Sequence, residues 1–388
     1  MYIYRIKDNE DVYEIAREYG ISPIKLATDN EITTKLMPRG RELVIIQPTR
    51  TYNVRSGDTL ESISLRFKVD KEDLVRMNPE MAGRERIYAG QLLTIKTSGG
   101  RMGVISTNGY FYRGCREDRL IRLMPYLTYV TVCSAIYKDG KISSLFSAES
   151  VTSLIKSAGR APMVRVYLAE VPRGEARRDF ISSITILAKS GGFAGVTVSD
   201  LSARCESRDE AAELVLAARK SLMESDLLFF AEGDSECDCS YMEYADAGII
   251  TYDKLHKDDI PDFETGEKST FTAFADDCDS GRTFVEMPCF ALAMGKYIDR
   301  GEAIRITDRR RAAIINDEEK KISVAAYGKG RKKEIIYENL ENTRARLELI
   351  SELGYMGISF DIGRICLSEL MMVSETFSIV RHPMMGLS

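Results

Sequence analysis

Tryptophan is absent from this 388-residue sequence, and histidine occurs only twice, as His256 and His382. No stretch approaches the roughly 18 apolar residues that a bilayer-crossing helix needs, so no membrane span is expected. There is no excess of basic charge either. The net charge of -5 argues against nucleic acid as the main partner. The first twenty residues carry charges every few positions and no apolar core, so no secretory signal is expected. The chain is then made in a cytoplasm and stays there, or leaves by lysis. Cysteine is missing from the first hundred residues, and the eight that follow stand at 115, 133, 205, 237, 239, 278, 289 and 366. Most sit in apolar runs, as expected of buried free thiols. Cys237-Asp238-Cys239 alone suggests a metal, but with so few histidines a regular zinc ligand set is not expected. No metal and no cofactor are therefore expected. With 44% hydrophobic and 29% charged residues, the composition is that of an ordinary globular chain, long enough for two or three domains.

What is present, first, is a repeat. The run from Tyr4 matches the run from Tyr52 at an offset of 48 residues, pairing Ile6 with Val54, Val12 with Leu60, Ile15 with Ile63, Tyr19 with Phe67, Leu26 with Leu74 and Asn30 with Asn78. After a two-residue slip, Gly40 pairs with Gly90 and Leu43 with Leu93. Each unit opens on a short alternating strand and turns into a helix with apolar residues on one face, at Leu60, Ile63 and Phe67 in the second copy. A second short helix ends near Asn78-Pro79, where proline stops it, and the unit closes on a strand at 92–95. Asp58 or Thr59 is placed to cap the first helix.

This βααβ pattern, with Tyr52-x-Val54-x-x-Gly57-Asp58-Thr59-Leu60 at its start and Tyr88-x-Gly90-Gln91-x-Leu93 at its end, resembles the LysM family. It implies one module over 1–48 and another over 51–97. The resemblance implies a partner containing N-acetylglucosamine, in the first place peptidoglycan. The polymer would lie in a shallow groove at Gly57, Asp58, Thr59, Leu60, Ile87 and Tyr88. Exposed backbone groups would read the acetamido groups, and Tyr88 would offer a face to a sugar ring. In module 1, Asn9-Glu10-Asp11 replaces Gly57-Asp58-Thr59. Losing the glycine restricts the turn, so module 1 reads as degenerate and module 2 as the better binder. A protein-binding platform is the plainer alternative. Two weak sites on one chain would gain avidity on a polymer if a flexible linker lets both engage. Thr97-Ser98-Gly99-Gly100 reads as a short flexible linker to the domain that follows.

From residue 101 to 388, strand-like and helix-like runs alternate. Strands are expected at 103–106, 129–136, 163–168, 195–198, 227–231, 248–252, 283–287 and 356–360, with helices at 117–124, 148–157, 179–190, 208–224 and 341–353. Eight such repeats predict an α/β fold, a closed (β/α)8 TIM-type barrel, with a doubly wound open sheet as the alternative. No glycine-rich phosphate loop follows the first strand, which removes a nucleotide site. Residues 296–333 are too long for a plain connection between strands seven and eight. This stretch carries Ile304-Arg305-Ile306 and 323–327, and reads as an inserted α+β lobe. Its basic residues, Arg309, Arg310, Arg311, Lys320, Lys321, Lys329, Arg331, Lys332 and Lys333, would meet anionic glycan or peptide, or simply form a solvated face.

A LysM pair followed by such a barrel resembles the spore cortex and coat hydrolases of endospore-forming bacteria, in glycoside hydrolase family 18. Local matches are Ser190–Val198 for the fourth strand, Ile250-Thr251-Tyr252-Asp253 for the sixth, Met287-Pro288-Cys289-Phe290 for the seventh and Tyr337-Glu338-Asn339 before the last helix. In that family the fourth strand carries D-G-x-D-x-D-x-E. Its Glu protonates the leaving oxygen, and the nearest Asp orients the acetamido group that attacks the anomeric carbon. Here the eight positions read Ala194, Gly195, Val196, Thr197, Val198, Ser199, Asp200 and Leu201. All four acids are gone, and Leu201 stands where the proton donor would be. Asp200, one residue early, is expected to point away from the barrel axis. The eighth-strand tryptophan that floors the family's cleavage subsite is missing as well. Its neighbourhood here is Ser359-Phe360-Asp361, where Phe360 would stack more weakly.

The resemblance also implies that Tyr252 and Asp253 contact an acetamido group, with Glu286, Phe360 and Asp361 completing the cleft. The leading expectation is a peptidoglycan-binding protein of the spore envelope whose family 18-like barrel is non-catalytic. An active N-acetylglucosaminidase working through displaced acids such as Asp200, Glu232 or Asp253 is the alternative. A coat assembly scaffold that binds spore coat proteins is another.

Overall fold

The computed structural model describes residues 1–8, 10–234, 239–251, 278–328 and 333–381. Tyr252, Asp253, Asn9, Cys237, both histidines and three of the basic residues (Lys329, Arg331, Lys332) lie outside them.

The two N-terminal units are built alike. In the first, β1 (Tyr2–Arg5) pairs antiparallel with β2 (Glu42–Ile45), and helices Val12–Glu18 and Pro23–Asp29 lie between them. In the second, β3 (Pro48–Asn53) pairs with β4 (Leu92–Thr97) around helices Leu60–Phe67 and Lys71–Met77. Each has its own apolar core: Ile6, Ile15, Leu26 and Leu43 in one, Val54, Ile63, Leu74 and Leu93 in the other. Asn30 donates to the carbonyls of Leu26 and Val44 and accepts from Val44 N, closing the second helix onto the last strand. Asn78 makes the same three bonds, to Leu74, Thr94 and Thr94 N. A buried amide satisfied on every side fixes that corner.

The first turns also match, despite their different sequences. The Tyr52 hydroxyl and the Arg55 N–H donate to one Asp58 oxygen, at 2.7 and 2.8 Å. In the other unit the Tyr4 hydroxyl and the Lys7 N–H donate to Glu10, at 2.7 Å each. Thr59 and Asp11 are the N-caps, each in a capping box, with Ser62 and Glu14 respectively. Thr59 thus caps the helix, and Asp58 ties down the turn instead.

Beyond residue 100, eight parallel strands close on themselves. They are β5 (Gly103–Phe111), β6 (Tyr129–Lys138), β8 (Ala161–Leu168), β9 (Gly195–Ser199), β10 (Leu228–Asp234), β11 (Ala247–Thr251), β12 (Thr283–Glu286) and β18 (Gly357–Asp361). Pairing of β5 with β6 on one side and β18 on the other completes the ring, so the open-sheet alternative falls. β7 (Lys141–Ser144) extends β6 as a hairpin, and β19 (Phe377–Ile379) adds beside β5. Alternation sorts the side chains. Val164, Val166, Val196, Val198, Ile250 and Phe360 face the surrounding helices. Tyr110, Tyr129, Met163, Phe230, Ile249 and Phe284 fill the interior. There Tyr129 meets Phe230 and Phe284 edge-on at 5.2 and 6.0 Å.

The insertion is wider than 296–333. Its five-stranded antiparallel sheet has the order β14-β13-β17-β16-β15, from β13 (Phe290–Ala293) and β14 (Lys296–Asp299) to β15 (Ala313–Asp317), β16 (Ile322–Tyr327) and β17 (Lys333–Glu338). Met294 and Gly295, both at positive φ, make the two-residue hairpin turn between β13 and β14. Ile304-Arg305-Ile306 falls in the helix Arg300–Arg310, which buries Arg300, Ala303 and Thr307 at helical spacing. Arg300 anchors the lobe to the barrel through Glu369 and, at 2.6 Å, the Pro288 carbonyl, and pairs within the lobe with Glu338.

The N-terminal units do not hang on a flexible tether. Thr97 Oγ1 donates to Glu375 at 3.0 Å, and Met102 N bonds to the Thr376 carbonyl, so the connection is pinned at both ends. The second unit is held by Arg76 on the Pro125 carbonyl, Arg160 on Glu72, and Arg381 on Asp70 and Asp73. The first is held by Glu31, which takes Arg119 at 2.7 Å and Leu367 N at 3.0 Å. It also takes Leu340 N on Glu42, and Arg41 pairs with Asp308 of the inserted lobe. Lys25 ties the two units together through the Met77 carbonyl.

Candidate functional site

The end of β9 is where an acid for glycoside cleavage is sought. Thr197 and Ser199 are buried on the inner side of the strand, alternating with the outward Val196 and Val198. At Asp200 the alternation stops, because this residue adopts the left-handed conformation, φ +63°. Two consequences follow. The Asp200 carboxylate swings back beside the inward Ser199, whose hydroxyl donates to it at 2.7 Å, so the expectation that it points away from the axis is corrected. Leu201, fully buried, starts a short helix and packs in the outer core with Val198 and Leu214. It is not at the mouth at all.

Glu232, at the inner side of β10, is 2% exposed and held by side chains from two other strands, β5 and β8. One oxygen accepts the Tyr110 hydroxyl at 2.8 Å, and the other accepts the Arg165 Nε at 2.8 Å and its Nη2. Arg165 also donates to the Tyr167 hydroxyl at 2.7 Å and lies over the Tyr167 ring. Burial pushes the Glu232 carboxyl above the ordinary range, while Arg165 and the Tyr110 phenol pull it back. With donors on both oxygens the carboxylate form is the one that fits, and Arg165 stays charged. Both carboxylate oxygens are thus engaged by neighbours inside the barrel.

The open cleft lies to one side, a cavity of about 720 Å³ among the ends of β5, β12 and β18 and the inserted sheet. Glu286 and Asp361 line it, together with Tyr112, Phe290 and Tyr297. Burial raises the Asp361 carboxyl, against the Gly363 N–H and Arg364 that pull it down. Phe360 is not part of it. Between the inward Ser359 and Asp361 it points to the outer core, fully buried, so its expected stacking role is corrected by strand alternation. Phe290 and Tyr297, 5.6 Å apart and edge-on, are the cleft aromatics the sequence reading missed. Their signal was the Met294-Gly295 turn that folds β14 back beside β13.

In the second N-terminal unit, Gly57 has φ +88° and open space around it, and Thr59 is exposed. Ile87 is half-buried, and Tyr88 is 59% exposed with Arg86 against its ring. Leu60 is different: its side chain is buried in the module core and is not free to meet a ligand. Asp58 is taken by the turn, which holds its carboxyl below the usual range through the Arg55 N–H and the Tyr52 phenol.

Comparison with known proteins matches the LysM domain model to residues 4–45 and 52–96. The N-terminal units are LysM domains. The whole arrangement, modules and barrel together, is similar to the spore cortex-lytic enzyme SleL of Bacillus cereus, with a TM-score of 0.72 and 16% identity over 98% of this chain and 100% of that one. The barrel alone is similar to a chitinase from Chromobacterium violaceum, at a TM-score of 0.60 and 13% identity over 70% of this chain and 98% of that one. The barrel thus shares the (β/α)8 fold of these enzymes. Among curated relatives, an autolysin of Enterococcus faecalis is 29% identical over 125 residues, 27% of this chain and 17% of that protein. The N-acetylmuramoyl-L-alanine amidase sle1 of Staphylococcus saprophyticus is 26% identical over 103 residues, 24% of this chain and 31% of that protein. The chain therefore spans less than a third of the length of these curated relatives. Among the described residues, no helix is long and apolar enough to cross a membrane.

Proposed function

We propose that this chain is a peptidoglycan-binding protein of the bacterial spore envelope, in which the LysM pair recognises N-acetylglucosamine-containing glycan and the barrel has no hydrolase activity. The observation that carries the second half is at the end of β9. The residue standing for the proton donor, Leu201, is packed in the outer core, and the inward positions Thr197 and Ser199 offer only hydroxyls. The buried carboxylate nearest in kind, Glu232, is consumed by Arg165 and Tyr110. General acid catalysis needs a carboxyl that holds its proton near the leaving oxygen, and neither arrangement supplies one. The first half is supported by the LysM match and by the open turn at Gly57 and the exposed Tyr88. The likeness to SleL supports the spore envelope as the location.

A second reading is favoured by one feature, the left-handed turn that brings the Asp200 carboxylate back to Ser199. There Asp200 acts as a displaced acid in an active glycosidase. Incubation with cortex peptidoglycan fragments, counting new reducing ends, separates the two. No release above background is expected. Steady turnover that disappears in Asp200→Asn overturns the non-catalytic reading in favour of the second.

A further inference from the structure

The two LysM modules share a fold but not a surface. In module 2 the residues that edge the groove, Ile87 and Tyr88, are half-buried and exposed. Their counterparts in module 1 are Met37 and Pro38, and both are buried, Met37 within the module's own core. The backbone differs too. An antiparallel bridge joins Asp11 to Leu36, lacing the first turn directly to the loop before the last strand. Among the described residues no such bridge joins Thr59 to the 85–88 loop of module 2. The first turn and that loop therefore lie side by side in module 1. Asp8 and Arg39 add an ion pair across the same gap at 3.0 Å.

Module 1 also meets the inserted lobe. Asn316 donates to the Gly40 carbonyl at 2.8 Å, the Ile314 backbone lies against Gly40, and Arg5 and Arg41 reach Glu318 and Asp308. The equivalent Gly90 of module 2 has nothing around it.

From this we infer that module 1 is not a glycan-binding module but a clamp. Its rim residues Met37 and Pro38 are buried, its outer turn seats the inserted lobe that walls the barrel cleft, and glycan binding belongs to module 2 alone. The inference rests on the proposed carbohydrate reading of the pair and confines that role to module 2.

Met37 and Ile87 occupy equivalent positions, and both carry methyl groups that can be isotope-labelled in the full-length protein. A β-1,4-linked N-acetylglucosamine pentamer is titrated while the two methyl signals are followed by NMR. Saturable movement of Ile87 with a stationary Met37 is expected, and Tyr88→Ala should abolish it or weaken it at least tenfold. Asp8→Ala combined with Arg39→Ala, which lies outside module 2, should leave the affinity within twofold. Movement of Met37 along with Ile87, or binding that survives Tyr88→Ala but falls with the Asp8 and Arg39 changes, overturns the clamp. If neither methyl moves, the carbohydrate reading itself fails and the inference goes with it.

Discussion

Module 1 and module 2 close the same corners with the same hydrogen bonds, yet present opposite surfaces to solvent. Glu10 does for Tyr4 and Lys7 what Asp58 does for Tyr52 and Arg55, and Asn30 repeats Asn78 bond for bond. The loss of the glycine-containing turn motif therefore did not unmake the fold of module 1. What changed is the rim, where Met37 and Pro38 went inside and Asp11 was bridged to Leu36. A fold is kept by its buried polar bonds, while binding is lost or kept at the few residues left outside them.

The strongest way to break this contrast is at a matched pair of glycines. Gly40 and Gly90 have φ of +85° and +86°, so alanine strains both backbones alike, by about 1 kcal/mol. Only at Gly40 would the new Cβ lie 2.8 Å from a backbone oxygen, that of Ile314. Gly40→Ala should therefore destabilise the protein by about 1–3 kcal/mol more than Gly90→Ala, read from urea unfolding. Equal losses would mean that module 1 does not bear on the inserted lobe.

A smaller effect is expected at the docking face. Burial pushes the Glu31 carboxyl up, but Arg119 and the Leu367 N–H outweigh it and hold it below the ordinary range. A lowered folded value stabilises the protein above the unfolded carboxylate range, and that stability is lost as pH falls through the folded value. Glu31→Gln should cost about 1–2 kcal/mol at neutral pH, and the difference from wild type should shrink in acid. A gap that widens as pH falls, in melts recorded from pH 7 to 3, would reverse the assignment. The smallest difference is predicted between the turns themselves. Tyr4→Phe and Tyr52→Phe should each cost about 1 kcal/mol, with no distinction between modules. A marked inequality would show that Glu10 does not reproduce the Asp58 turn.

Much of the architecture was legible because it is periodic. All eight barrel strands lie where alternating apolar runs placed them, and helix Arg208–Met223 begins where Ser207 caps it. The insertion was located but drawn too narrow. Its first hairpin depends on the two-residue turn at Met294-Gly295, which leaves little trace in hydrophobic pattern. Site residues were harder. Phe360 was placed in the cleft by neighbourhood, although alternation with Ser359 and Asp361 sends it outward. Asp200 was sent outward by the same rule, which failed because one left-handed residue ends the strand. The docking of both modules rests on pairs far apart in sequence, such as Glu31 with Arg119 and Asp70 with Arg381. No local pattern announces them. Tyr252 and Asp253 lie outside the described residues.

The central claim is that sugar recognition lives at the open rim of module 2. Co-sedimentation of the full-length protein with insoluble peptidoglycan tests it through Tyr88→Ala, an exposed change that should leave the melting temperature unaltered. The account predicts that the wild type pellets and that the variant's apparent affinity falls about tenfold, a loss on the scale of about 1.4 kcal/mol. A variant that pellets as well as the wild type would contradict it.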